Sequence, residues 1–80
     1  MPAIDPTTTR RAKAQITRRY VDASNLDVRV MHGVVYLRGS LGKLRTHPEV
    51  DLTHEMEVIS VSLRSIGGIR DVVWEVTQRT

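Results

Sequence analysis

An α+β fold is predicted for this chain: one small αββαβ domain, a three-stranded mixed sheet with two helices packed on one face. Three observations lead there. Apolar residues alternate through Leu26, Val28 and Val30 and resume at Val35 and Leu37 after His32-Gly33, the period of a half-buried β-hairpin. Leu52, Met56, Ile59, Leu63 and Ile66 recur at steps of four and three, the stripe of an amphipathic helix. Gly67-Gly68 supplies a left-handed stop to that helix, and Ile69 to Thr77 reads as a last strand.

Taken from the N-terminus, residues 1–4 read as a flexible arm and residues 5–80 as the domain. Asp5-Pro6 is a helix-start signal, because an aspartate side chain takes orphan amide protons and proline suits the first helical position. Ala12, Ile16, Tyr20 and Ala23 then give a thin apolar stripe, and Ser24-Asn25 ends the helix. In the hairpin, a two-residue turn pairs Met31 with Val34, Arg29 with Tyr36 and Asp27 with Arg38 on one face. The same register pairs Val30 with Val35 and Val28 with Leu37 on the other. The first face carries an opposite-charge pair and an Arg–Tyr stack, both favourable cross-strand neighbours. Gly33 provides the positive φ of the turn, and Gly39 marks a bulge or a close backbone approach.

Gly42 to Thr46 reads as a loop. Thr46-His47-Pro48-Glu49 matches a capping box, with Asp51 available for a later helix start. In the last strand Val72, Trp74 and Val76 share one face, Val73 and Glu75 the other. Packing both apolar helix stripes on the aliphatic side of the sheet makes Val28, Val30, Val35, Leu37, Ile59 and Leu63 the core. The opposite side, with Arg29, Met31, Val34, Tyr36, Arg38, Val73 and Glu75, stays open.

A chain of 80 residues buries only about 60–65% of its unfolded surface, so its stability is marginal without help. With no cysteine, neither disulfides nor a thiolate metal site can supply that help, and the expectation turns to a homo-oligomer. The first residues contain no signal-peptide pattern, which points to the cytoplasm, or to the periplasm if a leader has been removed. The net charge of +3 is unevenly spread. Arg10, Arg11, Lys13, Arg18 and Arg19 crowd the first helix, whereas Glu49, Asp51, Glu55 and Glu57 form an acidic block that can attract them.

The hairpin residues Leu26, Val28, Val30, Gly33, Val35, Leu37 and Gly39, followed by Gly68, Ile69, Val72 and Val73, resemble the pattern of the BON domain. This is a small bacterial module of osmotically induced and nodulation-related proteins. The resemblance covers most of residues 12–78 and implies an αββαβ fold with a non-enzymatic role in phospholipid, membrane or protein contact. The chain departs from the pattern in a longer connection from Gly39 to Gly68, and in Trp74 where the family often has a polar Asn.

Other constellations are less specific. His47, Asp51 and His54 share a helix face at spacings a metal tolerates, yet they read better as exposed residues of a helix start. Gly39-Ser40-Leu41-Gly42 spells the G-x-x-G of nucleic-acid-clamping loops but leaves a strand instead of joining two helices. The serines have no evident His–acid relay. The reading is therefore a binding module, not an enzyme, with no cofactor or metal. Its candidate contact residues are Arg29, Tyr36, Arg38 and Trp74, and its structural turn glycines are Gly33, Gly39, Gly67 and Gly68. The expected partner is a second copy or another protein, or an anionic membrane surface. Nucleic acid held by the basic first helix is the alternative.

Overall fold

The computed structural model describes residues 6–79; the arm at residues 1–4 and the Asp5 cap lie outside the described residues. Six elements follow in order: α1 (Pro6–Thr17), β1 (Val21–Asp22), β2 (Leu26–Met31), β3 (Val34–Lys43), α2 (Leu52–Arg64) and β4 (Asp71–Arg79). The long β3 is the centre of a mixed sheet. On one side β2 runs antiparallel to it, from Leu26 opposite Gly39 to Met31 opposite Val34. On the other side β4 runs parallel to it, from Val34 beside Asp71 to Gly42 beside Arg79. The hairpin register is the one its alternation predicts. His32 (φ +52°) and Gly33 (φ +77°) both take left-handed conformations, the geometry of a type I′ turn.

The expected three-stranded sheet gains a fourth, two-residue strand. Helix α1 ends at Thr17, not at Ser24-Asn25, and Val21–Asp22 instead pair antiparallel with Lys43 and Gly42 at the far end of β3. Tyr20 and Val21 lose side-chain freedom in a helix, and the strand conformation buries Val21 in the core. Between β1 and β2, Ala23–Asn25 bulge outward. The Asp22 carboxylate holds this turn by accepting from the Ser24 amide (3.0 Å) and hydroxyl (2.6 Å). Gly39 lies against the bulge at φ +113°. A Cβ there would sit 2.2 Å from the Asn25 carbonyl oxygen, so glycine is required for the close approach.

The loop expected from Gly42 begins later, because β3 continues to Lys43 and buries Leu41. Helix α2 takes the later start: Asp51 Oδ1 accepts from the Thr53 and His54 amides at 3.0 and 3.3 Å. Thr46 does not cap it; residues 44–50 make two turns, closed by His47 N–H to Leu44 O and Val50 N–H to His47 O. At the other end of α2, Gly68 takes the left-handed φ (+93°) but Gly67 does not, and a Cβ on Gly67 would meet nothing within 4 Å. The left-handed stop expected of the pair thus rests on Gly68. Gly33 and Gly68 meet in space. The Arg70 amide donates to Gly33 O at 2.8 Å, and a Cβ on Gly33 would lie 2.7 Å from Gly68 O.

Both helices cover one side of the sheet. Ala12 and Ile16 of α1, and Leu52, Ile59 and Leu63 of α2, bury against Val28, Val30, Val35, Leu37, Leu41 and Val72. All six residues expected in the core are there. Helix α1 also reaches the β2 edge, where buried Thr9 Oγ1 accepts from the Val30 amide at 3.2 Å.

Candidate functional site

The register lays the open face of the sheet out in rows across β2, β3 and β4: Met31–Val34–Asp71, Arg29–Tyr36–Val73, then Asp27–Arg38–Glu75. Ser40 beside Thr77 follows, and the last row is Asp22–Gly42–Arg79 on β1, β3 and β4. The first two rows form an apolar corner, in which Met31, Val34, Tyr36 and Val73 are half-buried. Of the later rows, the third and the last are charged and the Ser40–Thr77 row between them is polar.

Those charges are largely compensated on the face itself. Arg29 Nε pairs with Asp27 at 2.9 Å along β2, and Arg38 Nε pairs with Glu75 at 3.5 Å across to β4. The expected Asp27–Arg38 neighbours are directly opposite, yet each arginine turns to a different carboxylate. Arg79 of β4 reaches across β3 to put Nη2 3.3 Å from Asp22 Oδ2 on β1. It can do so because Gly42 has no side chain: a Cβ there would stand 3.0 Å from Nη2. The Ser24 hydrogen bonds, and then Arg79, hold the Asp22 carboxyl below its ordinary range. In a strand, Gly42 is the one sequence signal for this crossing, by the rule that a strand glycine marks close approach.

Arg29, Tyr36 and Arg38 therefore share the open face, but Trp74 does not join them. It lies on the helix side, opposite Leu37, half-buried against the core. Its Nε1 donates to Ser60 Oγ at 2.7 Å, and that hydroxyl donates to Met56 O at 2.9 Å. Strand parity, which groups Trp74 with Val72 and Val76, is the signal for this placement.

Around the helices the charge is arranged differently. Arg19, just beyond α1, grips Glu55 of α2 through Nε–Oε2 (2.6 Å) and Nη2–Oε1 (2.9 Å). This fork holds the Glu55 carboxyl below its ordinary range and raises Arg19. Arg10, Arg11, Lys13 and Arg18 are exposed and make no ion pair among the described residues. Tyr20, 59% exposed, stacks on the His47 ring at 4.1 Å between centroids. Among the described residues no three metal-capable side chains gather.

A cleft of about 240 Å³ between α1 and the β2 edge is lined by Lys13, Ile16, Thr17, Ala23, Leu26 and Val28. Its walls are mostly apolar and bring no acid–base pair together. Among the described residues no helix is long and apolar enough to cross a membrane. Comparison with protein-family models, with curated proteins and with solved structures finds no match to the chain.

Proposed function

We propose that the chain is a non-enzymatic binding module of BON-like architecture that works by contact with protein through the open face of its sheet. The observation that supports this reading is the face's composition: an apolar corner of Met31, Val34, Tyr36 and Val73 beside arginines already held by carboxylates. A surface with apolar and aromatic groups and internally neutralised charge suits a protein interface. It offers little attraction to an anionic membrane, which needs cations free to meet lipid phosphates. Arg29, Tyr36 and Arg38 are the contact residues on this reading, whereas Trp74 serves the core and the seat of α2.

The second reading is a polyanion site on α1, favoured by the exposed, unpaired Arg10, Arg11, Lys13 and Arg18. One experiment separates the two. A photo-crosslinking amino acid is placed at Tyr36 or at Ala14, which is exposed on α1, and adducts are identified in cells. Protein adducts concentrated at position 36 are expected. Nucleic-acid adducts at position 14, lost as salt is raised and absent at 36, would transfer the function to the helix.

A further inference from the structure

We propose that the outer edge of β4 is a homodimerisation edge: a second copy of the chain lays its own β4 antiparallel against it, joining two sheets into one. This rests on the reading that the domain works by protein contact, and it adds to the open face one edge and one partner.

The two edges of the sheet are treated differently. Along the β2 edge, α1 lies close enough for Thr9 to take the Val30 amide, and the Ala23–Asn25 bulge breaks the line toward β1. Among the described residues the β4 edge has neither cover nor bulge, and its charged residues, Asp71, Glu75 and Arg79, all lie on the open face. Its nine residues contain no proline, glycine or lysine, and their pairing with β3 is unbroken from Asp71 to Arg79. Among the described residues β4 pairs with β3 alone. Among the described residues the one side chain that takes a β4 backbone group is Asp71, whose Oδ1 accepts from the Val72 amide at 2.8 Å. Folded proteins blunt long regular edges with charge, bulges or cover unless the edge is used. Half-buried Trp74 and Val76 on the helix side, and Val73 on the open side, leave apolar rims along it.

The strand is also self-complementary. A two-fold axis at Glu75 overlaps all nine residues of β4. It sets Asp71 opposite the partner's Arg79, and Arg79 opposite the partner's Asp71, but each Arg79 is already held by Asp22 of its own copy, so the apolar pairs carry the match. On the helix side it sets Trp74 against the partner's Val76 twice, an aromatic–β-branched pairing that strengthens sheets. One unfavourable pair results, Glu75 facing the partner's Glu75, and in each copy its own Arg38, 3.5 Å from its own Glu75, moderates it.

The test combines sedimentation of the purified chain across the micromolar range with amide hydrogen exchange at the same concentrations. A monomer–dimer equilibrium is expected, with exchange in residues 71–79 slowing as dimer forms. Glu75→Gln removes the facing carboxylates and should tighten the dimer about twofold to fivefold. Glu75→Arg, which adds cations beside Arg38, should loosen it by a similar factor while circular dichroism reports an unchanged fold. A strict monomer overturns the proposal. So does a dimer whose β4 amides exchange at the monomer rate and which Tyr36→Glu dissociates; that result would leave protein contact through the open face standing.

Discussion

Glu55 is 7% exposed, and a carboxylate that deep is tolerable only when it is paired. Arg19 supplies two charge-assisted hydrogen bonds, and the first turn of α2 adds its dipole. Because the folded-state value of Glu55 lies below its unfolded value, the pair's contribution is complete above the ordinary carboxylate value, about 4. It is lost as pH falls through the lower folded value, since the unfolded chain binds the proton first. Glu55→Gln should therefore cost about 1–2 kcal/mol near neutrality, discounted for the partial exposure of Arg19. It should also flatten the acid limb of stability against pH, both measurable by urea unfolding between neutral and acid conditions. The sequence shows Glu55 as one acid in an acidic block. Its selection as the buried one depends on where the chain beyond α1 places Arg19, 36 residues away.

At the scale of elements, legibility follows the length of the repeating signal. The hairpin was readable because six residues of alternation and a His-Gly turn agree on one register. The α2 stripe and its buried apolar residues Leu52, Ile59 and Leu63 were readable for the same reason, while Met56 of that stripe is only partly buried. A two-residue strand such as β1 has no period to detect, and its existence depends on β3 running past Gly39 to offer it a partner. The helix start was ambiguous because Thr46 and Asp51 are both sound caps; burial of Leu52 immediately after Asp51 goes with the later one. Parity assigned Trp74 to the side of Val72 and Val76, and only its hydrogen bond to Ser60 reveals that α2 is what it meets. Thr9 gives an element-level test of how α1 secures the β2 edge. Thr9→Val keeps the shape but leaves the buried Val30 amide without its acceptor, so a loss of about 1–3 kcal/mol is expected in chemical denaturation. Fast exchange of the Val30 amide should accompany it.

For the whole molecule, charge and shape divide the surface into two sides. The sheet side neutralises its arginines internally through Asp22, Asp27 and Glu75, while the α1 side leaves four cations to solvent. A formal charge of +3 conceals this division, which arises only when the strands bring Arg79 to Asp22 and Arg38 to Glu75. The meeting of Gly33 and Gly68 has a consequence in time as well as in space. The hairpin can form from neighbours, but β4 must be delivered to β3 across the whole α2 crossover, and such non-local pairing is the slow part of folding. The Arg70–Gly33 bond sits at the very start of the β3–β4 ladder, where the first correct contact fixes the register of every pair after it. Gly33→Ala, with a Cβ 2.7 Å from Gly68 O, should slow refolding in stopped-flow mixing, whereas Gly67→Ala should leave the rate unchanged. Gly33 and Gly68 thus act as the catch at which the last strand finds its place.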